Sequence, residues 1–513
     1  MHVVVVGAGS AGCAVAGRLA ERGHTVDLLD AGPDWRGEAC PPELRHPRDD
    51  VFAWRVDGRS ASAYTFPGVA AARFGGGARE PYLRGWGMGG TSSVNGLVTI
   101  RPPADEFAHW SELGCTGWAW DDVLPIFQRL EDDVDYGATS PEYHGLGGPV
   151  PVVRRQEHEW GSGDRLLADA AFAAGHAWEP DYHRPDSLGV SRTASHIRYG
   201  VRITSYDGYV EAWREGGQVR VHGDTLVDRV IVDDTGRATG VRALAADGTV
   251  TVFEGDEIVL AGGAAATPGI LQRSGVGPAA LLGSLGIRVH ADLPVGAGMQ
   301  DHVGFWLQVP HDDARPAVNG ARGNVTLRYS SHLEHSRPGD LLVVAANPAT
   351  ADAGETAFGV KLARCVSTGS SRIVSTAPLA ASEIDMNLLS DDRDTELARV
   401  AVRTSTALLS RFGTVHDRHG DPVDATASDA EVDAWLRACA RDTSHLTGGA
   451  RMGTGEDAVV DPRLRVRGVS GLTVADLSVC PIVPRANTYL TAVMIGERAA
   501  DFLTDRLDVA GDA

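Results

Sequence analysis

The chain reads as an α/β protein in which a Rossmann-like, parallel-sheet domain is interleaved with a second domain of antiparallel sheet plus helices. Three observations predict this. An unbroken valine run at the N-terminus leads through a glycine-dense turn into a helical pattern. Residues 305–438 carry short β-like runs followed by two helical stretches, and the last 70 residues return to strand, turn and helix. No fixed-period repeat or low-complexity linker separates these regions, so the domains interleave rather than follow one another.

Each element follows from local chemistry. Val3-Val4-Val5-Val6 is a buried-strand run, and Gly7-Ala8-Gly9-Ser10-Ala11-Gly12 opens a helix from Cys13 to Arg22 that stops at Gly23. A second strand, Thr25-Val26-Asp27-Leu28-Leu29, ends in Asp30. In this βαβ unit Gly7 makes the tight turn, Gly9 lets the backbone approach a pyrophosphate, and Gly12 allows close helix packing. Ser10 and Ala11 lie at the helix N-terminus, whose N–H groups and partial positive charge suit phosphates. Asp30 lies 18 residues beyond Gly12, near the spacing at which a carboxylate meets ribose hydroxyls. The unit predicts dinucleotide binding but leaves FAD against NAD open, because both present the same ADP half. Residues 40–78 read as extended loop. Further glycine-dense stretches occupy residues 84–96 and 262–277. Within the second domain, Asp340-Leu341-Leu342-Val343-Val344-Ala345 and Ile384-Asp385-Met386-Asn387-Leu388-Leu389 look like strands, and the surroundings of Leu397 to Leu408 and Val432 to Cys439 have helical periodicity. Leu472-Thr473-Val474-Ala475-Asp476 predicts a strand, Thr491 to Leu503 a helix, and the chain from Thr504 a frayed tail.

Composition removes several functions. With 47 basic against 68 acidic residues the net charge is -21, which disfavours nucleic acid and an acidic membrane surface. No window approaches the roughly 18 apolar residues of a spanning helix, and no basic leader precedes Val3, so a cytoplasmic location is expected. Cys13, Cys40, Cys115, Cys365, Cys439 and Cys480 lack metal or disulfide spacing, so free thiols and no metal site are expected. Lys361 is the only lysine, which reads as coding bias.

Two longer motifs add a family. Arg84-Gly85-Trp86-Gly87-Met88-Gly89-Gly90-Thr91-Ser92-Ser93-Val94-Asn95-Gly96 and Gly263-Ala264-Ala265-Ala266-Thr267-Pro268-Gly269-Ile270-Leu271-Gln272-Arg273-Ser274-Gly275-Val276-Gly277 resemble the two signature motifs of the glucose–methanol–choline oxidoreductases. Weaker blocks agree in order: Gly200 to Ser205, Val295 to His302, Arg451-Met452-Gly453, and Gly496 to Asp501. The resemblance implies FAD held by Gly7, Gly9, Ser10, Ala11, Gly12 and Asp30. It further implies Val227 at the adenine, Gly89, Gly90, Thr91, Asn95 and Gly96 along the flavin and diphosphate, Asp476 and Leu477 at the ribityl-diphosphate, and Asn487 and Thr488 at the end of the site. Small residues at 89 to 93 fit backbone packed against a planar ring. The sequence also departs from the family. Asp30 stands where Glu is usual, Trp86 replaces a basic residue and Thr99 an aromatic one. Gly449 replaces a Thr, which would enlarge the space behind His445. Val94 stands where some members carry a histidine bonded to the flavin, so the FAD is expected to be non-covalent.

The implied reaction is oxidation of a primary or secondary alcohol to the carbonyl, with hydride passing to flavin N5. An alcohol loses its proton near pH 7 only to a positioned base. Among 18 histidines, His445 in Ser444-His445-Leu446-Thr447-Gly448-Gly449 matches the family's catalytic block. Asn487, counted back from Gly496, matches its second member and would orient the alkoxide by donating a hydrogen bond; capping the helix that starts near Thr488 is the alternative role, and the two are compatible. Asp301 and His302 read as structural. The expected partition is FAD-binding 1–150, 191–304 and 441–505, substrate domain 151–190 and 305–440, and tail 506–513. The partners are a small-molecule alcohol and an electron acceptor, oxygen or a respiratory or quinone-type carrier. The rivals are a lyase of the same fold, of the hydroxynitrile lyase type, a catalytically inactive flavin-binding protein and an NAD-dependent dehydrogenase. The alcohol, the acceptor and the oligomeric state are not readable.

Overall fold

Val3 to Val6 are fully or almost fully buried because their strand lies inside a parallel sheet covered on both faces. The computed structural model describes residues 1–35, 39–45, 64–311, 315–318, 323–348 and 355–511, with side chains to 506, and all statements below concern these. The five-stranded parallel sheet has the order Val219–His222, Thr25–Leu29, His2–Val6, Glu257–Leu260, Leu472–Val474. Its strands come from three distant stretches of chain, so this layer closes only when the ends of the sequence meet. The helix Ser10–Glu21 crosses from the first strand to the second. The final helix, Tyr489–Gly511, packs on it so closely that a Cβ at Gly496 would collide with the Ala11 backbone. The next residue, buried Glu497, accepts hydrogen bonds from Arg18 (2.8 Å), Arg129 (2.7 Å) and Tyr209 (2.7 Å). The 496–501 block is therefore what joins the C-terminus to the nucleotide-type unit. The tail expected to fray from Thr504 is helical to Gly511, since Arg463 pairs with Asp505 and Arg506 with Glu257; residues 512 and 513 lie outside the described residues.

The second layer is a seven-stranded sheet. Its order is His416–Asp417, Val303–Pro310, Glu355–Leu362, Leu341–Ala346, Val325–Tyr329, Gly189–Arg192, with Arg441–Asp442 also pairing on Val303–Pro310. All these pairings are antiparallel. Helices Ser162–Ala173, Asp392–Leu409 and Asp429–Cys439 cover it. The last two start at side-chain caps, Asp391 accepting from the Arg393 N–H and Ser428 sharing a capping box with Glu431. The expected boundary at 190/191 cuts the strand Gly189–Arg192, and the one at 304/305 cuts Val303–Pro310; both strands belong whole to this sheet.

A third, five-stranded sheet joins Ala297–Met299, Gly369–Arg372, Glu383–Asp385, Ala70–Ala72 and Arg79–Pro81. The segment read as loop over 40–78 thus ends in a strand, and residues 46–63 of it lie outside the described residues. The strand expected through Leu389 stops at Asp385, because Asn387 and Leu389 adopt φ of 49° and 57°. One apolar cluster surrounds the parallel sheet and a second the antiparallel one, and Leu477 packs against both. Along that seam run the segments carrying His445 and Asn487.

Candidate active site

The glycine segments distant in sequence meet at one place. Gly89 N–H donates to the Ala8 carbonyl at 2.8 Å, and a Cβ on Gly90 would lie 2.8 Å from the Gly9 Cα. Gly7, Gly89 and Gly90 have φ of 102°, 83° and 53°, in the left-handed region that a side chain disfavours. A Cβ on Gly9, by contrast, meets no protein atom within 4 Å, so that backbone faces open space at the start of the helix Ser10–Glu21. This is the shape a pyrophosphate against Ser10, Ala11 and Gly12 requires. Asp30 closes the turn by accepting from the Ala8 N–H at 2.8 Å and the Gly32 N–H at 2.9 Å, and burial raises its pKa. Thr91 Oγ1 accepts from Gly85 N–H at 3.2 Å, and beyond Gly96 the chain turns at Leu97 with φ of 65°.

Other expected cofactor residues are turned toward protein. Asn95 Oδ1 accepts from Arg202 (2.8 Å) and the Leu97 N–H (3.0 Å), and His196 Nε2 lies 2.9 Å from it. Burial, then Arg202, pushes His196 down to about 3, so it is neutral there. Asp476 accepts from Gly263 N–H (2.9 Å), Thr267 Oγ1 (2.6 Å) and Ser478 N–H (2.8 Å), pinning the second long motif to the loop before Leu477. Val227 is buried beside a bulge in the strand Thr225–Val232.

His445 follows Ser444, which is held at φ of 60°. Its backbone N–H donates to both oxygens of Asp301 at 3.0 Å, and the same carboxylate accepts from Tyr82 OH at 2.7 Å. Tyr82 OH in turn accepts from Arg84 (2.6 Å) and the Leu446 N–H (2.9 Å). Burial, then Asp442, raises the Asp301 carboxyl. The ring is fixed separately: His445 Nδ1 lies 2.8 Å from Thr443 Oγ1 and 3.0 Å from His302 Nδ1. Asp301 and His302 therefore hold both the backbone and the ring of the candidate base. The space behind His445 is not enlarged, since a Cβ on Gly449 (φ 88°) would strike Met299 and Pro268.

Asn487 sits in a loop whose neighbour Arg485 is buried against Glu106 (2.7 Å) and Asp105. Gln300 ties this loop to the His445 segment, accepting from Val483 N–H at 3.0 Å while its backbone pairs with Thr447. Asn487 Oδ1 accepts from Lys361 Nζ at 3.2 Å, and the same ammonium, after burial, pushes His302 down to about 3. His302 and Lys361 thus link the two candidate catalytic side chains. His302 was expected as a structural residue, and Lys361 had been given no role. The single lysine among 47 basic residues was the one signal in the sequence that pointed at Lys361.

No metal site was expected. Glu131, Asp133, His144 and His183 nevertheless come within 4.8 Å of one another, well away in sequence from the pair above. Arg101 binds Glu131 through Nε at 2.8 Å and Arg154 binds Asp133 at 2.9 Å, so guanidinium groups already serve these carboxylates. No described helix is long and apolar enough to cross a membrane.

Sequence and fold are similar to those of known proteins. A family model described as GMC oxidoreductase matches residues 1–304, and its C-terminal counterpart matches residues 366–496. The chain is 34% identical to the 5-(hydroxymethyl)furfural oxidase of Methylovorus sp. (strain MP688) over 97% of each. It is 29% identical to the oxygen-dependent choline dehydrogenase of Vibrio vulnificus (strain YJ016), across 98% of this chain and 93% of that one. The fold is similar to pyridoxine 4-oxidase from Mesorbium loti, with a TM-score of 0.85 and 25% identity over 98% of both chains.

Proposed function

Because the chain belongs to the GMC oxidoreductases, FAD-dependent enzymes acting on alcohols and similar donors, we propose that it oxidises a small primary or secondary alcohol with His445 as base and Asn487 orienting the oxygen. The observation that carries this reading is the double fixing of His445, backbone to Asp301 and Nδ1 to His302 and Thr443. A base held this way accepts the proton in one geometry. His302 is neutral, burial and Lys361 outweighing the upward pull of the Pro484 and Ala363 carbonyls. With its one proton on Nε2, His302 accepts at Nδ1 from His445 Nδ1–H. That tautomer puts the basic lone pair on His445 Nε2. Nε2 takes the hydroxyl proton while the Asn487 amide donates to the oxygen as negative charge grows on it, an interaction strongest in the transition state.

Gly7, Gly9, Ser10, Ala11, Gly12 and Asp30 would hold the ADP half of FAD, and Gly89, Gly90, Thr91 and Gly96 the flavin side. Val227, Asp476, Leu477 and Thr488 would contribute mainly backbone. Bound FAD supplies the acceptor for the hydride. Val94 offers no nucleophilic atom, so the cofactor is expected to dissociate: acid precipitation should leave the yellow colour in the supernatant, and colour in the pellet would overturn this. Oxygen or a quinone-type carrier then takes the electrons, a choice that oxygen uptake measures.

The decisive experiment is anaerobic flavin reduction by an alcohol panel in wild type and His445→Ala. The variant should retain FAD and lose about 10²–10⁴ in reduction rate, the usual contribution of a general base. Undiminished reduction removes His445 from the mechanism.

A further inference from the structure

The lone lysine is buried, 7% exposed, on the strand Glu355–Leu362, opposite Gly304 and thus two residues from His302 in the paired strand. A buried ammonium persists only where polar groups hold it, and one of these is Asn487, whose Oδ1 lies 3.2 Å from Nζ. An ammonium has donors and no acceptor, so this contact decides which end of the amide is which. Oδ1 is the end turned to Lys361, and the Nδ2 donors are the end left to meet a substrate oxygen. A flipped amide would bring its two donors against the ammonium and aim an acceptor at an oxygen that is gaining negative charge. With the substrate oxygen on Nδ2, the ammonium would lie two hydrogen bonds from it. Positive charge at such range favours an alkoxide and opposes a cation arriving with the substrate.

We propose that Lys361 is a positioning residue of the alcohol oxidation: it orients the Asn487 amide and gives the site a charge that selects neutral or anionic ligands over quaternary ammonium ones. This rests on the role given to Asn487 above.

The test uses FAD-loaded protein and the neutral primary alcohol that reduces the wild-type flavin fastest. Anaerobic reduction is followed in Lys361→Met, Lys361→Gln, Asn487→Ala and the double variant Lys361→Met/Asn487→Ala. Lys361→Met should lower the limiting rate roughly 10- to 100-fold, the range for a lost hydrogen bond from a charged donor. Lys361→Gln, which keeps an N–H donor, should recover part of that loss and carries the test if the Met variant does not fold. The double variant should lose less than the two single losses combined, because Lys361 acts in part through that amide. Benzoate and benzyltrimethylammonium, used as inhibitors, read the charge: benzoate should bind more tightly in wild type, and the preference should fall about tenfold or more in Lys361→Met and Lys361→Gln. Additive losses in the double variant, or an unchanged preference, overturn the proposal, as does benzoate failing to compete in wild type. If Asn487→Ala is as fast as wild type, the reading of Asn487 fails first and takes this one with it. If Asn487→Ala is slow while Lys361→Met and Lys361→Gln are both fast, only the role of Lys361 fails.

Discussion

His302 and His144 are both buried, and each has a second histidine ring beside it, at 5.1 Å between centroids for His302 and His445 and 5.8 Å for His144 and His183. Their charge states are opposite. His302 is pushed down to about 3 by burial and then by the Lys361 ammonium. Burial works on His144 as well, yet the nearby carboxylates of Asp133, Asp181 and Glu131 carry it up to about 10. Burial by itself favours a neutral imidazole, and only close carboxylates reverse that. The difference separates two uses of one residue type. Around His144, the carboxylates and the guanidinium groups of Arg101 and Arg154 form a charged clamp joining residues 131–135, 154 and 181–183. Around His302, the absence of a carboxylate among the groups that shift it, and the presence of a cation, keep an imidazole neutral at the place where the proposed mechanism needs an unprotonated base.

The comparison breaks most visibly if the carboxylate is moved. Lys361→Glu replaces the cation that holds His302 neutral by the kind of group that charges His144. Two histidines sharing a hydrogen bond beside a carboxylate will hold a proton near neutrality. Flavin reduction at pH 7 should fall by about 10² or more, the contribution of an available base, and should recover as pH rises, with the acid limb displaced upward. The pH profile of anaerobic flavin reduction checks this. A slow variant whose acid limb stays in place would mean that Lys361 does not act on the histidine pair by its charge.

What could be read from the sequence follows the range of each interaction. The βαβ unit, the helices near Leu397 and Val432, and the strand at Leu472 rest on neighbouring residues, and the structure has them at Ser10–Glu21, Asp392–Leu409, Asp429–Cys439 and Leu472–Val474. Backbone conformation at single residues was less legible. Met386 to Leu389 have the composition of a strand, but Asn387 and Leu389 turn the chain out of the sheet. Least legible were the supports of the site, because they are made across the fold. His302 meets His445 143 positions away, and Lys361 meets Asn487 126 positions away. Neither pairing leaves periodicity or spacing in the sequence. Asn95 shows the same limit from the other side: an amide expected at the cofactor turns its oxygen toward Arg202 and His196, which come from a different segment.

The clamp offers a smaller test of the same contrast, read in stability rather than rate. His144 is raised in the folded protein from its ordinary value of 6.5 to about 10. The folded state therefore holds a proton that the unfolded chain releases between those values. For a raised imidazole the resulting stabilisation is fully present below about pH 6.5 and is lost as pH climbs through 10. The partners agree in sign, since against the effect of burial His144 and Arg154 hold Asp133 below the usual carboxylate range, and His144 holds Asp181 down to about 2. His144→Gln keeps a polar side chain but cannot take up the proton. Its urea midpoint should lie below that of wild type at pH 6.5 and approach it by pH 10, while the rate of flavin reduction in the folded variant stays at the wild-type value. A midpoint difference that does not change across this range would mean that His144 is neutral in the clamp, and the two histidine sites would then differ in geometry but not in charge.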